Sequence, residues 1–310
     1  MIIIKLGDNM TIGIPRSLYY YYYGEFWKNF FNELNVSYVV SPKTNRRIMD
    51  LGMKYANDEM CLSLKNYIGH VSYLQDKCDM VLVPRIDNYG RNNQTCTNFL
   101  ATYDIIHNLF PKPLLTYNID YENGKTERKE FYRLGKLLNK KKAEIDSAYQ
   151  KAREKTKLEN YRKIRKNILN LKEENLKVLI VGHPYNLYDS LLGEFIIKGL
   201  ESQGVTLVYS NLFLEEDTQK LSKRLSDTLY FKYSKENIGA IELCKEKIQG
   251  IVFVSSFPCG PDSLVNELVM RKINLPYLNL VIDDLDGGAG VETRIESFID
   301  ILKERQKCQN

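Results

Sequence analysis

Short apolar runs alternate with longer amphipathic segments along the first 120 residues. The segments place apolar side chains at helical spacing, and the runs are bounded by Gly, Pro or polar residues. The runs have the composition of buried strands and lie at 10–15, 36–40, 80–84 and 114–117. Because parallel strands joined by helices are covered on both faces, this pattern predicts an open α/β sheet.

The same alternation returns in the last third of the chain. Its apolar runs lie at 177–181, 205–208, 251–254 and 276–281. The intervening stretch is different, because Lys, Glu, Arg and Asn dominate it and Leu or Ile recur at helical spacing. We therefore predict an α/β fold with two open, mainly parallel-sheet domains of the Rossmann or flavodoxin-like kind, joined by a charged helical segment. The predicted boundaries are 1–120, 121–176 and 177–310.

Three local features refine this prediction. The apolar spacing after Cys61 predicts a helix that is broken or bent near Gly69, and the stretch 85–94 reads as a polar loop. The run at 251–254 leads into Phe257-Pro258-Cys259-Gly260-Pro261-Asp262-Ser263, where a strand ends and a helix begins. Asp262 or Ser263 is the expected N-cap of that helix.

Charge and hydropathy exclude several classes of protein. The net charge of +5 is modest, and acidic residues are interspersed in the charged middle, which favours a solvated helical face over a nucleic-acid arm. No apolar run approaches the length of a membrane span, and residues 1–5 are too short for a signal-peptide core. We therefore expect a cytoplasmic protein that binds neither nucleic acid nor membrane, with its six cysteines as thiols or ligands.

Three cysteines precede helical patterns, and they are Cys61, Cys96 and Cys259. A thiol near the positive end of a helix is favourable for thiolate chemistry or metal ligation. Cysteines are also common as small buried residues, and the chain has no Cys-x-x-Cys pair, so spacing alone leaves both interpretations open. Cys78, Cys244 and Cys308 lie in a strand start, a helix and the tail, where no chemistry is expected.

The remaining motifs are weaker. His70, His107 and His183 are too far apart in the chain for a histidine zinc site. His183 directly follows a strand, where it either contacts a ligand or is a satisfied loop histidine. The glycine loop at 287–290 does not match dinucleotide or P-loop spacing, and the Asp residues before it (Asp283, Asp284 and Asp286) are typical of a turn.

Several segments together carry a resemblance to a known family. In chain order they are Ile12-Gly13-Ile14-Pro15-Arg16, Asp58-Glu59-Met60-Cys61-Leu62-Ser63-Leu64-Lys65, Val83-Pro84-Arg85, Cys96 with Phe99, Gly182-His183-Pro184-Tyr185-Asn186, Phe257 to Ser263, and Gly288-Ala289-Gly290 with Thr293-Arg294. The chain resembles the 2-hydroxyacyl-CoA dehydratase subunits and the acyl-CoA dehydratase activase-related proteins. The segments span nearly the whole chain except its charged middle.

This resemblance implies a cofactor. The family pattern has a [4Fe-4S] cluster, in some members a larger iron–sulfur cluster, held by three cysteines at the junction of two α/β domains. Cys61, Cys96 and Cys259 match the ligand positions. Lys65, Arg85 and His183 lie near these segments and are candidate substrate-binding residues, although solvent-facing roles are equally compatible with their positions.

The resemblance also implies a reaction and partners. Family dehydratases remove water from a 2-hydroxyacyl-CoA through radical chemistry, after an ATP-dependent activase delivers one electron. An acyl-CoA ligand and an activase partner in an anaerobe are therefore expected. A second subunit or a homodimer, and a lyase or reductase activity, stay open. Two alternatives remain, a non-catalytic electron-relay or partner subunit with the same cluster, and a cluster-free α/β binding module with structural cysteines.

Overall fold

The computed structural model describes residues 10–284 and 290–309. Asp286 and the glycines at 287–288 with Ala289, which the sequence singled out, lie outside the described residues. The chain divides into two compact units. The first runs to Met60 and continues from Leu64 to Glu159, whereas the second contains Cys61–Ser63 and the chain from Asn160 onward.

The first unit is built on a four-stranded parallel sheet in the order β2-β1-β3-β5. Its strands are β1 (Thr11–Ile14), β2 (Ser37–Val40), β3 (Met80–Leu82) and β5 (Leu114–Leu115). The helices beside it are α1 (Tyr20–Glu33), α2 (Arg46–Tyr55), α3 (Leu62–Leu74) and α4 (Thr97–Leu109). Two further helices, α5 (Glu127–Leu137) and α6 (Lys142–Asn170), form the charged stretch.

A two-stranded parallel sheet continues this one beyond Pro84. It pairs β4 (Arg85–Asn88) with β6 (Asn118–Asp120), and the backbone bond from Val83 N to Leu115 O links it to the main sheet. Proline has no N–H to donate, which explains why the ladder is interrupted at this position. The expected polar loop at 85–94 therefore begins as a strand, and that part of the sequence prediction was wrong.

Helices α2 and α3 pack as an antiparallel hairpin with very close backbones. A Cβ on Gly69 would lie 2.1 Å from Ile48 O, and one on Gly52 would lie 2.0 Å from Lys65 O. Only glycine permits this approach. Gly69 thus allows helix packing, and α3 runs through it without the predicted break. Since α2 follows β2 and α3 returns antiparallel to it, α3 begins beyond the carboxyl edge of the sheet.

The second unit repeats this plan with a parallel sheet in the order β10-β9-β7-β8. Its strands are β7 (Lys177–Val181), β8 (Thr206–Tyr209), β9 (Gly250–Ser256) and β10 (Tyr277–Ile282). Its helices are α7 (Pro184–Leu187), α8 (Glu194–Ser202), α9 (Glu215–Ser222), α10 (Lys232–Cys244), α11 (Gly260–Met270) and α12 (Val291–Gln309). Strand β9 is buried along its whole length.

The two units share more than their strand order. In each, the first strand lies between the second and the third. Gly239 of α10 corresponds to Gly69 of α3, because a Cβ there would lie 1.9 Å from Thr218 O of α9. The motif Gly24-Glu25-Phe26 of α1 also recurs as Gly193-Glu194-Phe195 at α8.

The structure confirms the predicted fold class of mixed α/β with parallel sheets. All eight apolar runs form the expected strands. Among the described residues, no helix is both long and apolar enough to cross a membrane.

Candidate functional site

Cys259 is the N-cap of α11, the helix that follows the third strand of the second unit. The predicted caps, Asp262 and Ser263, lie inside the first turn instead. Pro261 explains the difference, since a proline at the first helical positions costs no hydrogen bond and has the φ that a helix requires. Ser263 N donates to Cys259 O at 3.0 Å, which closes the first helical turn on the cysteine.

Cys61 lies beside the same turn of the second unit. Leu62 N donates to Phe257 O at 2.8 Å, so the residue after Cys61 is bonded to the residue two before Cys259. Next in the chain, Ser63 Oγ donates to Asn186 Oδ1 at 2.7 Å and lies 2.9 Å from Ser256 Oγ. The segment 61–63 is therefore fixed against the carboxyl ends of β7 and β9.

His183 bridges the turns after β7 and β9. Its Nε2 lies 2.9 Å from Asp262 Oδ1, and both side chains are buried. The imidazole stacks on Tyr185 at a centroid distance of 4.9 Å, and the ring of Tyr233 meets its face edge-on. This contact joins the N-cap region of α11 to the start of α7, so His183 is a satisfied loop histidine that fixes the turn beside Cys259.

A buried lysine at the start of α10, Lys232, forms ion pairs with two glutamates. Lys232 Nζ lies 2.7 Å from Glu215 Oε1 and 2.5 Å from Glu236 Oε1. Burial raises the pKa of Glu236, and the charges of Lys232 and His183 oppose that rise. The second unit therefore neutralises the cations near this edge with its own carboxylates.

Cys96 occupies the matching position in the first unit, as the N-cap of α4 after the third strand. The residue before Cys96 is held in place, since Thr95 Oγ1 donates to Ile86 O at 2.6 Å. The Tyr19 hydroxyl donates to Phe99 O at 2.6 Å in the first turn of α4. Burial, together with the nearby Tyr67 and Cys96 side chains, raises the pKa of Tyr19 well above its usual value. Cys96 thus lies at a helix start with a neutral phenol nearby.

Lys65 and Arg85, the cationic candidates, have different surroundings. Arg85 donates from Nη2 to Asp104 Oδ2 at 2.6 Å, and its guanidinium lies 5.3 Å from the centre of the Tyr103 ring. Lys65 is only 7% exposed.

The three candidate cysteines differ from the others in their surroundings. Cys61, Cys96 and Cys259 are half-buried and form no disulfide. Cys78 and Cys244 are buried, and burial raises the pKa of Cys78 and that of Cys244, the latter to about 12. Within residues 10–284 and 290–309, no group of three or more His, Cys, Asp or Glu side chains forms a metal site.

The second unit brings Cys61, Cys259 and His183 to one sheet edge, whereas Cys96, Lys65 and Arg85 belong to the first unit. Sequence reasoning missed Asp262 as the partner of His183, because the two residues are separated by 79 positions. It also missed the group formed by Ser63, Asn186 and Ser256. The sequence signals were the segments of the family resemblance, which contain His183, Asn186, Asp262 and Ser63, whereas Ser256 lies outside them.

Comparison with protein-family models identifies the family. Residues 11–212, more than half of the chain, match the family described as CoA enzyme activase uncharacterised domain (DUF2229). The chain belongs to this family. The match includes Cys61, Cys96, Lys65 and His183 and ends before Cys259. The family fits the expected activase-related group and implies a partner enzyme system. No relative was found among curated proteins.

Solved structures give only distant similarities. A zinc-bound AdcAII variant of Streptococcus pneumoniae has 12% identity and a TM-score of 0.26, with 96% of this chain and 99% of that chain covered. An NtrC family transcriptional regulator from Clostridium acetobutylicum has 12% identity and a TM-score of 0.21, with coverage of 96% and 100%. A LacI family regulator from Arthrobacter sp. FB24 has 10% identity and a TM-score of 0.24, with coverage of 88% and 96%. Scores this low support no functional argument.

Proposed function

We propose that this chain is an iron–sulfur protein of the 2-hydroxyacyl-CoA dehydratase type that works with an ATP-dependent activase. The proposed cluster ligands are Cys61, Cys96 and Cys259. The proposal depends above all on the bond between Leu62 N and Phe257 O, because it draws two half-buried cysteines to one sheet edge.

The donor set fits such a cofactor. Thiolates are the usual ligands of iron–sulfur clusters, and a cluster with three of them carries negative charge. Cys96 and Cys259 are helix N-caps, and Cys61 directly precedes α3. The positive ends of these helices favour negative charge at the cysteines. When bound, a four-iron cluster with three cysteine ligands supplies one-electron transfer and leaves one iron for a substrate oxygen.

The protein itself would keep this site rigid. His183 and Asp262 fix the first turn of α11, and Ser63 fixes the segment that bears Cys61. Thr95 performs the same task for Cys96. Lys65 is the cation proposed to face an anionic substrate, since Arg85 is already paired with Asp104. The family description names CoA enzymes as the associated system.

The test uses the full chain loaded anaerobically with iron and sulfide. Incubation with an activase and ATP is expected to produce the paramagnetic signal of a reduced cluster, and omission of ATP is expected to abolish it. A screen of 2-hydroxyacyl-CoA thioesters then separates a dehydratase from an electron relay, since only the dehydratase consumes the thioester. A loaded protein that no activase reduces would contradict the proposal.

A further inference from the structure

The sheet of the second unit has two outer strands, β8 and β10, and they differ in how their outward backbone groups are satisfied. At β8, the side chain of Asn167 accepts a hydrogen bond from Tyr209 N at 2.8 Å and donates one to Tyr209 O at 3.0 Å. Asn170 donates to Leu207 O at 2.8 Å. Two asparagines of α6 therefore close this edge of the sheet to a further strand.

Strand β10 has no comparable cover among the residues that the structure describes. Pro276 O and Ile282 O accept hydrogen bonds from β9. Because backbone groups alternate in direction along a paired strand, those of Tyr277, Asn279 and Val281 point away from β9, toward the outer edge. The strand contains no lysine, no proline and no bulge, which are the usual features that protect an edge strand.

An exposed apolar surface lies beside this open edge. The ring of Tyr277 meets that of Phe253 at a centroid distance of 6.2 Å. Phe253 belongs to the core cluster that contains Val265 and Val269, so Tyr277 lies on the α11 side of the sheet. Val281 shares that side, since side chains alternate along a strand. Tyr277 and Val281 are 45% and 42% exposed.

Helix α11 adds Leu264 and Leu268, which are 63% and 48% exposed. With about 100° between successive helical residues, Leu268 and Met270 lie on opposite flanks of the buried side of α11. Met270 belongs to the core cluster that includes Ile241 of α10, so the flank of Leu268 is the one toward β10. Leu264 lies one turn earlier on the same flank. The α11–β10 patch is the set Leu264, Leu268, Tyr277 and Val281.

A partner that satisfies both features must present a strand and an apolar face together. A second copy of the chain does so, because β10 and α11 are neighbours on it, and the patch contains no charge that would repel its own copy. We propose that two copies of this chain associate through β10, which forms an antiparallel pair about a two-fold axis at Asn279. The two sheets then continue into one another, and the two α11 helices lie on the same face with the patches between them.

The side chains of β10 suit this pairing. About an axis at Asn279, each Tyr277 lies opposite Val281 of the second copy, and pairs of an aromatic with a β-branched residue are favourable across antiparallel strands. Asn279 lies opposite itself. Its Oδ1 is buried and has no hydrogen-bond partner among the described residues, and the amide of the second Asn279 brings a donor to this position.

The available area is that of a small specific interface. Large side chains have roughly 200 Å² of surface each, so the half-exposed patch supplies on the order of 400 Å² per copy. Paired strand backbone adds to this, which brings the total near ~1,000 Å², the lower limit for a specific interface. Arg294 Nη2 donates to Asn279 O at 2.6 Å, and that carbonyl has a second lone pair for the strand partner.

Sedimentation velocity on the purified full chain, without iron loading, tests the proposal. We expect the wild type to form a dimer that dissociates in the micromolar range. Val281→Lys places a charge in the patch and on the edge strand, and should weaken dimerisation by tenfold or more. Ile301→Lys is the matched control, since Ile301 is 52% exposed on α12 outside the patch, and it should dimerise as the wild type does. Circular dichroism checks that both variants are folded.

A cysteine at the axis tests the register. Residues that exchange both hydrogen bonds across an antiparallel pair have Cα atoms about 5.5 Å apart, which lies within the range that a disulfide spans. Mild oxidation of Asn279→Cys should therefore give a covalent dimer on a non-reducing gel. The wild type and Ile301→Cys measure the background from the native cysteines and from an exposed thiol elsewhere.

Three results would overturn the proposal. They are a monomeric wild type, a Val281→Lys variant that dimerises as tightly as the wild type, and an Ile301→Lys variant that loses as much as Val281→Lys. A monomeric wild type would assign the edge to a strand of a different protein. A dimer in which Asn279→Cys gives no more covalent product than Ile301→Cys would overturn the two-fold register.

Discussion

The two units have the same sheet order but different charge at the carboxyl edge. Cys96 and Cys259 occupy equivalent places, each as the N-cap of the helix after the third strand. The first turn of α11 contains Asp262, which is bonded to His183, whereas the first turn of α4 contains no acidic residue. Likewise α9 begins with Glu215, Glu216 and Asp217, whereas its counterpart α2 begins with two arginines.

This difference separates the features that core packing requires from those that it leaves free to vary. Sheet order and the hairpin glycines recur because both cores need the same packing. The charged groups at the edges have no such packing constraint, so they can diverge. In the second unit Lys232 is paired with Glu215 and Glu236, whereas in the first unit Arg46 is paired with Asp50 on the exposed face of α2. The following predictions test this comparison, from the largest expected effect to the smallest.

The buried pair of the second unit should make the largest contribution to stability. Asp262→Ala removes a buried hydrogen bond to His183 Nε2, and we expect a loss of about 3 kcal/mol in the free energy of unfolding. Urea unfolding measures the loss. Lys198→Ala is the control within the same unit. Lys198 forms an ion pair with Glu194 at the surface, where their side chains are 68% and 32% exposed, respectively. That control should change the free energy by about 0.5 kcal/mol or less.

An Asp262→Ala variant no less stable than Lys198→Ala would contradict this assignment. The His183–Asp262 pair would then not contribute to the free energy of unfolding, and the contrast between the two units would disappear.

The two hairpin glycines should have similar importance. Gly69→Ala and Gly239→Ala each place a Cβ about 2 Å from a carbonyl oxygen. We therefore expect each substitution to lower the free energy of unfolding by about 2 kcal/mol. Gly199→Ala is the control, since its Cβ meets only the tip of Ile295 at 3.2 Å. If one hairpin tolerates alanine and the other does not, their packing is not equivalent.

Acid should weaken the first unit through His70, whose counterpart in the second unit is Ala240. Burial and the charge of Arg16 lower the pKa of His70 to about 3, and Ser41 and Thr44 contact its two ring nitrogens. The unfolded histidine titrates near ~6.5, so between these pH values the unfolded state binds the extra proton. Stability should be complete above that range and fall as pH drops, by about 2 kcal/mol at pH 5.

A His70→Gln variant keeps a donor and an acceptor for the two hydroxyls but cannot titrate. Urea unfolding across the acid range should therefore show a smaller loss for this variant than for the wild type. Identical pH profiles would show that His70 contributes nothing to the acid sensitivity.

The smallest effect concerns the ends of α1 in the first unit and α8 in the second. Asn35 after α1 has φ 51° and Gly204 after α8 has φ 74°, so both end a helix in the left-handed region. Glycine adopts this conformation at the lowest cost. Asn35→Gly should therefore stabilise the first unit by about 0.5 kcal/mol, and Gly204→Asn should destabilise the second by a similar amount. Changes of the opposite sign in urea unfolding would contradict the equivalence.

Most of the fold could be predicted from the sequence, and less of the site. Apolar runs identify all eight strands of the two main sheets, including β2 and β10, which are only partly buried. Strands β4 and β6 carry Asp and Asn residues beyond Pro84, so hydropathy gives no signal for them. The N-cap role of Cys259 was hidden because Asp262 and Ser263 are better capping residues by type.

The contacts within the candidate site join residues that are far apart in the sequence. His183 and Asp262 meet only because β7 and β9 are neighbours in the sheet. The burial of Lys65 is likewise a property of the fold, because hydropathy predicts lysines to be exposed. The cysteines could be proposed from sequence because each precedes a helical pattern, a local signal.

The central claim is that Cys61, Cys96 and Cys259 hold one iron–sulfur cluster. Anaerobic loading followed by iron and sulfide analysis tests it most directly, with single Cys→Ala variants of the three and Cys244→Ala as the buried control. The account predicts about four irons in the wild type and in Cys244→Ala, and a large loss in each of the three variants. A wild type that binds no iron, or a Cys259→Ala variant that binds as much as the wild type, would contradict it.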